Sequence, residues 1–131
     1  PDDALIGEPG VVCIPHLGAS TPESEENCAV MAADQLREYL LNGNIVNSVN
    51  LPDVNVPKNG GGRICVIHKN IKGMLAGLTA VINGEGLNIE NLTNKSRGEF
   101  AYTVADVSGP AAPAVADALV GLEGVIRVRV L

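Results

Sequence analysis

The hydrophobic pattern of residues 60–131 predicts strands and helices in alternation. Residues 63–68 are a run rich in β-branched side chains, and residues 125–130 alternate between apolar and polar positions, as strands with one buried face do. Apolar residues recur at helical spacing over residues 73–83 and again over residues 110–122. Each of these two helices is therefore expected to bury one face.

Two further strands are predicted between these helices. Residues 88–95 and 99–107 are predicted as a pair of strands, because Arg97-Gly98 between them has the composition of a tight hairpin turn. The order is then βαββαβ, which right-handed crossovers fold into a four-stranded antiparallel sheet with both helices on one face. The sequence thus predicts an α+β, ferredoxin-like domain. Its sheet edge, and its face away from the helices, are expected to be free to pair with a second copy.

The first 59 residues carry fewer elements. The apolar run at residues 11–14 predicts a buried strand. Thr21 is a suitable helix cap, Pro22 suits the first helical position, and Asn42-Gly43 is a typical helix end. One strand and one helix bury little apolar area, so residues 1–59 are interpreted as a remnant of a larger α/β part.

A cluster of prolines and glycines separates the two pieces. Residues 52–62 contain two prolines and the three consecutive glycines Gly60–Gly62, which leave the backbone without restraint. The domains are therefore predicted as residues 1–59, ending in a linker, and residues 60–131. The charge divides at the same place, because the first piece carries nine acids and two bases and the second carries six acids and seven bases.

Composition excludes several kinds of partner. The net charge is −6, whereas binding to nucleic acid needs a clustered basic surface. No apolar run approaches the roughly 18 residues of a membrane span, and no secretory signal is present, so a cytoplasmic location is expected. Cys13, Cys28 and Cys65 are scattered in apolar stretches, which favours buried, reduced thiols over a disulfide or a metal site.

The end of the first strand of the second piece could bind a small ligand. His68 and Asn70 follow the strand, Gly73 opens a helix, and Asn88 opens the next strand and is expected nearby. An imidazole, two amides and a helix N-terminus together suit a zwitterion such as an amino acid. The alternative is that Asn70 caps the helix and that His68 is satisfied by the backbone.

A second candidate is the segment of residues 15–21. His16 follows the predicted strand and precedes small residues and a helix, as a general base could. The alternative is an isolated surface histidine, because no carboxylate is placed to orient the ring. Neither a GxGxxG nor a Walker pattern occurs, and no spacing of His, Cys or acids predicts a metal site.

Taken together, these motifs resemble the C-terminal part of the D-3-phosphoglycerate dehydrogenases. The resemblance runs from about residue 11 to residue 131. Residues 15–21 resemble the segment around the catalytic histidine of D-2-hydroxyacid dehydrogenases, Gly60–Gly62 resembles the hinge into a regulatory domain, and residues 63–131 resemble an ACT domain. The family oxidises 3-phosphoglycerate with NAD in L-serine biosynthesis, so the resemblance implies an oxidoreductase as the parent.

The resemblance also implies roles for individual residues. His16 matches the catalytic acid/base of the parent enzyme, and His16, Gly18 and Ala19 match positions beside NAD. In the ACT domain, the positions that match residues holding the feedback inhibitor L-serine between two domains are His68, Asn70, Gly73 and Asn88. The family commonly has Arg-Pro-Gly where this chain has Ile71-Lys72-Gly73, so L-serine and another small amino acid both stay open as effectors.

The expected function is that of a regulatory portion. The Rossmann glycine loop and the acid that orients the catalytic histidine are not in this sequence, so the chain by itself is expected to be inactive and to bind no NAD. It is expected to form a homodimer or higher oligomer through its ACT domain. The alternatives are a purely structural dimerisation module, a sensor of another amino acid, or a dehydrogenase in its own right.

Overall fold

The computed structural model describes residues 3–59, 61–111 and 113–131. Contacts between residues group the chain into two compact units, Pro1–Ala33 and Asp34–Leu131. No helix in the described part is long and apolar enough to cross a membrane. The second unit contains all four strands of the sheet and the two helices that follow its first strand, so it holds the predicted ferredoxin-like domain.

The first unit contains little regular structure before its helix. A 3-10 turn covers Asp3–Leu5, and α1 runs from Pro22 to Asn42, across the boundary between the units. The predicted strand at residues 11–14 was wrong: the segment is irregular, and Val12 and Ile14 are 86% and 75% exposed. A strand needs a neighbouring strand for its backbone, and every strand of the sheet lies after Gly61 within the described residues.

The predicted start and end of α1 are confirmed. The Thr21 hydroxyl accepts a hydrogen bond from the Ser24 amide at 3.3 Å, as a helix cap does. Pro22 is the first helical residue, and the helix ends at Asn42, after which Gly43 has a φ of 71°. Gly43 is required here, since a Cβ at this position would collide with the Cys65 Sγ atom.

The sheet has the predicted topology. Its strands, in chain order, are β1 (Gly62–Lys69), β2 (Ile89–Arg97), β3 (Phe100–Val107) and β4 (Val125–Val130), with α2 (Met74–Gly84) after β1 and α3 (Pro113–Val120) after β3. The spatial order is β2-β3-β1-β4, with every neighbour antiparallel. This βαββαβ arrangement is the ferredoxin-like fold, and it leaves β2 and β4 as edge strands.

Both helices lie on one face of the sheet, over an aliphatic core. Its buried members are Ile64, Val66, Met74, Leu78, Ile82, Ala105, Val107, Val115 and Leu119. They come from alternate positions of β1 and β3 and from one stripe of each helix, as the hydrophobic periods predicted. The core therefore fixes the helix-side face, on which His68 also lies.

The opposite face of the sheet is covered, so the expectation that it is free was wrong. Ile45 and Val54 pair as an isolated bridge and pack on Cys65, Tyr102 and Val104. The segment covers this face because it contributes apolar side chains, Ile45, Leu51, Val54 and Val56, that pack against the sheet. The second compact unit accordingly starts at Asp34, before the domain boundary predicted at residue 60. That the first 59 residues come from a catalytic part stays a prediction.

Three side chains of the sheet bind the carbonyls at the end of α1. Tyr102 donates its hydroxyl to the Gly43 carbonyl at 2.6 Å. Arg129 donates to the carbonyls of Tyr39 and Leu40 at 2.8 and 3.0 Å, and its guanidinium lies 4.5 Å from the centre of the Tyr39 ring. Carbonyls at the end of a helix lack a full set of partners inside it, so these side chains of the sheet act as its C-terminal cap.

Arg63 is the third of these side chains, and it is fully buried. It makes a bidentate ion pair with Asp106, at 2.6 and 2.9 Å, and donates to the carbonyls of Asn42, Val56 and Pro57 at 2.8 to 3.0 Å. The hydrogen bond to Asp106 raises the pKa of Arg63 above its usual value. All five N–H groups of the guanidinium are thereby used.

The glycines predicted as a hinge lie where the chain enters β1. Gly60 lies outside the described residues. Gly62 is the first residue of β1, and a Cβ on Gly61 or Gly62 would collide with backbone atoms of Val107 or Ala111. Close approach of neighbouring backbone therefore explains the need for glycine at these two positions, apart from any role in hinge motion.

Candidate functional site

His68 lies near the end of β1, on the helix-side face, and is 2% exposed. Its Nδ1 atom lies 2.8 Å from the Lys69 carbonyl oxygen, and its Nε2 atom lies 2.8 Å from the Thr103 hydroxyl oxygen on β3. The Thr103 hydroxyl in turn donates to the Asn94 side-chain oxygen on β2 at 2.9 Å. Both ring nitrogens of His68 are thus occupied within the chain.

Asn70 is exposed in the loop that follows β1. Its backbone amide donates to the Glu99 carbonyl at 2.8 Å, and its side-chain amide donates to the Gly98 carbonyl at 3.3 Å. It does not cap α2: the cap position is Gly73, with a φ of 83° and no side-chain hydrogen bond. The alternative prediction, that Asn70 caps α2, was therefore wrong. Asn70 instead holds its loop to the β2–β3 turn by these two hydrogen bonds.

A shallow pocket of about 360 Å³ opens beside Asn70. Its lining residues are Lys69, Asn70, Ile71, Glu99 and Phe100. The residues around this pocket, its rim, therefore include one lysine, one glutamate and one asparagine. His68 is not among the lining residues, because its ring is buried on the helix-side face of the sheet. The chemistry of the rim complements a small molecule that carries both charges.

Asn88 lies far from these residues within one chain. It directly precedes β2, where its carbonyl accepts from the Ser108 amide and its amide donates to the Ser108 hydroxyl. Ile89 pairs with Val107 at one end of the hairpin, whereas Asn70 contacts the turn at the other end. Eight strand residues separate the two ends, or roughly 26 Å at the usual rise. The expectation that Asn88 lies near His68 in one chain was wrong.

The other predicted residues lie in the first unit. His16, Gly18 and Ala19 are exposed, and Gly18 and Ala19 form a turn closed by a hydrogen bond from the Ser20 amide to the Leu17 carbonyl at 3.1 Å. No ion pair of the described residues includes His16. An exposed turn without an orienting acid does not fit NAD by itself, so we derive no chemical step from these residues.

The expectation that all three cysteines are buried was wrong for two of them. Cys65 is buried against Tyr102, but Cys13 and Cys28 are exposed, and the described residues of the first unit form no strand that could cover them. Burial raises the pKa of Cys65 and that of Tyr102 above their usual values. Among the described residues, no group of three or more His, Cys, Asp or Glu side chains could hold a metal ion.

Thr103 and Asn94 were not predicted from the sequence. The signal for Thr103 was a hydroxyl in the middle of the apolar run of residues 99–107, because a buried hydroxyl needs a partner. The partner itself, Asn94, depends on strand register and could not be read from the sequence. Glu99, at the rim of the pocket, was missed for the same reason.

The strand order and the helix-side core define the class of this protein: its second unit is an α+β domain of the ferredoxin-like fold. No protein-family model matches the chain. The ACT domain of GTP pyrophosphokinase from Chlorobium tepidum covers 53% of this chain and 95% of its own, with a TM-score of 0.48 and 19% identity. Because this TM-score is below 0.5, the fold class is assigned from the strand order of this chain alone.

Sequence relatives make the identification more particular, because they are D-3-phosphoglycerate dehydrogenases. That of Escherichia coli K12 is 33% identical over 123 residues, which are 92% of this chain and 30% of the relative. That of Haemophilus influenzae is 34% identical over 122 residues, again 92% and 30%, and D-3-phosphoglycerate dehydrogenase 2 of Saccharomyces cerevisiae is 33% identical over 109 residues, 79% and 23%.

The resemblance stated from the motifs is thereby confirmed. The chain is homologous over nearly its whole length to part of the D-3-phosphoglycerate dehydrogenases, which are oxidoreductases, and it spans about 30% of the length of the bacterial relatives.

Proposed function

We propose that this chain is the regulatory portion of a D-3-phosphoglycerate dehydrogenase and that residues 60–131 are its ACT domain. The domain would self-associate and bind L-serine, or another small amino acid, as feedback inhibitor of an NAD-dependent oxidation of 3-phosphoglycerate in L-serine biosynthesis. The observation that carries the proposal is the edge position of β2, with Asn88 at one end of the strand and the Asn70 loop near the other.

Pairing of two β2 strands supports a shared site. A two-fold dimer joins the same edge of both copies, and the two strands then run antiparallel. Asn88 of one copy thereby reaches the sheet end where the second copy carries its Asn70. Leu75 on α2 and Leu92 on β2 are partly exposed large apolar side chains, and Leu92 lies on this edge strand. Each dimer would contain two equivalent sites.

The rim of the pocket supports an amino acid as ligand. Lys69 supplies a cation for the carboxylate of the ligand, and Glu99 supplies an anion for its ammonium group. Asn70 adds an amide, and Gly73 begins α2 without a side chain that would crowd the loop. Because His68 lies beneath this rim with both nitrogens occupied, its part in the effector site is support of the loop.

The catalytic part of the proposal concerns the parent enzyme. His16 would be its acid/base, and His16, Gly18 and Ala19 would lie beside NAD, as the resemblance implies. The parent would be cytoplasmic. The present chain is proposed to be inactive alone, so purified chain should form no NADH from 3-phosphoglycerate. NADH formation would contradict this proposal.

Calorimetry with L-serine tests the effector site. We expect saturable heat with wild-type chain, loss of that heat in Asn70→Ala, and unchanged heat in Asn83→Ala, an exposed asparagine at the end of α2 that serves as the matched control. A folded dimer that gives no heat at millimolar concentrations of L-serine or of any other amino acid would contradict the effector proposal.

A second candidate is a purely structural dimerisation module. Two observations favour it: Ile71-Lys72 replaces the Arg-Pro common in the family, and both ring nitrogens of His68 are occupied internally. The two candidates differ in one measurement. Sedimentation would show a dimer for either, but only the regulatory domain would also gain thermal stability when an amino acid is added.

A further inference from the structure

Three polar side chains form a line of hydrogen bonds across the helix-side face of the sheet. They are Asn94 on β2, Thr103 on β3 and His68 on β1, joined by distances of 2.9 and 2.8 Å. The far nitrogen of the His68 ring lies 2.8 Å from the Lys69 carbonyl oxygen. We call these three residues the His68 relay. It runs from the edge strand β2 to the root of the loop that carries Asn70.

The acceptors determine where the protons of the relay lie. A carbonyl oxygen only accepts, so the Nδ1 atom of His68 must carry a proton toward Lys69. Thr103 has a single hydroxyl proton. When Thr103 donates it to the Asn94 oxygen, as in the structure, Nε2 must donate to the Thr103 oxygen and the ring is an imidazolium.

A half-turn of the Asn94 amide gives the other arrangement. The amide NH2 then donates to Thr103, Thr103 donates to Nε2, and the ring is neutral with its one proton on Nδ1. Both arrangements keep the two hydrogen bonds that join the three residues. An imidazolium buried without a carboxylate partner is costly, so we infer the arrangement with the neutral ring.

We propose that Thr103 and Asn94 are positioning residues for His68, and that their relay holds the ring in one place while the side chain at position 94 sets the direction of its hydrogen bonds. The proposal goes beyond the effector site, because neither residue lines the pocket beside Asn70. It gives the buried histidine a stated role, which is to fix the Lys69 carbonyl at the start of the ligand loop.

The relay itself contains no charged side chain. By strand register, Lys69, Lys95 and Arg127 lie at positions of the opposite sheet face, next to Phe100, Tyr102 and Ile67. Three more charged residues occupy the adjoining loops: Lys72 before α2, Glu99 in the β2–β3 turn and Glu123 before β4. No ion pair of the described residues involves His68. The protons of the ring are therefore governed first by Thr103 and Asn94.

The relay also connects the two parts of the proposed shared site. One end is on β2, the strand proposed to pair with a second copy, and the other end supports the loop of Asn70. This consequence rests on the proposed function, whereas the proton arrangement does not. Ligand contact at the loop and strand pairing at the edge would then be coupled through three hydrogen bonds.

Nitrogen NMR of the histidine rings in the full 131-residue chain tests the relay. In wild type at pH 7.5, we expect the proton of His68 on Nδ1 alone. In Asn94→Asp the new carboxylate only accepts, so Thr103 must donate to it and both ring nitrogens should be protonated. Ser96→Asp places the same charge on the same strand and face, outside the relay, and should leave the ring as in wild type.

Several results would overturn the proposal. They are a wild-type ring with its proton on Nε2 alone, an Asn94→Asp ring identical to wild type, and a Ser96→Asp ring changed as much as that of Asn94→Asp. If Asn94→Asp does not fold, Thr103→Val decides. Its Nε2 signal should move to the position of an unbonded ring nitrogen, whereas Thr103→Ser should keep the wild-type signal. Equal spectra for these two variants would refute the relay.

Amino-acid binding provides the second readout. Thr103→Val should weaken L-serine binding about fivefold, the equivalent of one hydrogen bond, and Thr103→Ser should restore it. Unchanged binding in Thr103→Val would refute the coupling of relay and loop. If wild type binds no amino acid, the proposed function fails, while the NMR spectra still decide the proton arrangement.

Discussion

Arg63 shows how strongly the sheet holds the segment that covers its open face. The Arg63→Met substitution keeps much of the length of the side chain and removes all five of its hydrogen bonds. Asp106 then stays buried with its charge uncompensated, and three carbonyls of residues 42–57 lose their donor. Removing one partner of a buried ion pair costs about 3–5 kcal/mol, and each carbonyl that loses its charged donor adds about 1–3 kcal/mol.

Urea denaturation followed by circular dichroism measures this loss. A domain of this size has about 5–15 kcal/mol of total stability, so a loss of about 4 kcal/mol or more should move the midpoint far toward zero urea. Arg127→Met is the matched control, because Arg127 lies exposed on β4. It should change the free energy of unfolding by no more than about 0.5 kcal/mol.

The double variant Arg63→Met with Asp106→Leu separates charge from packing. It removes both members of the ion pair, so no buried charge is left alone, and it should recover at least half of the loss. Equal midpoints for Arg63→Met and Arg127→Met would refute the reasoning. So would a double variant that is less stable than Arg63→Met, because the cost would then not come from an uncompensated Asp106.

Three further predictions concern single residues. Burial raises the pKa of Cys65, so its contribution to stability is complete below the pH near 8.5 at which the unfolded thiol ionises. It falls at higher pH by at most about 1.4 kcal/mol per pH unit, and Cys65→Ala should lack this part of the slope in alkaline urea titrations. Gly124→Ala should destabilise the fold by about 2 kcal/mol in the same assay, because φ is +92° and the new Cβ would lie 2.7 Å from a side-chain carbon of Met74. Cys13 and Cys28 should react at once with a thiol reagent, whereas Cys65 should react only in denaturant; three thiols reacting at equal rates would contradict the burial described above.

The sequence predicted the ferredoxin-like topology because each element has a clear local signal. Period-two alternation in residues 125–130 and the apolar stripe in residues 73–83 needed no knowledge of the rest of the chain. The cover of the open sheet face could not be predicted in this way. Ile45 and Val54 lie in a segment rich in asparagine and proline, and their partners Cys65 and Tyr102 are distant in sequence.

The candidate site was predicted in part. His68 and Asn70 were recognised from their position after a strand, but their different surroundings follow from tertiary structure. His68 is buried because Thr103 faces it across the sheet, and Asn70 is exposed because the β2–β3 turn holds its backbone. The separation of Asn88 from both follows from strand register, which hydrophobic periods do not determine.

Complementation between two variants shows whether two copies share one ligand site. Asn70→Ala and Asn88→Ala should each bind no L-serine in calorimetry, since each spoils both sites of its own dimer. After unfolding and refolding as an equal mixture, half of the dimers should contain both variants, and one of their two sites should be intact. The account predicts binding by about one quarter of the sites. A mixture with no binding, or a single variant that binds like wild type, would contradict the shared site.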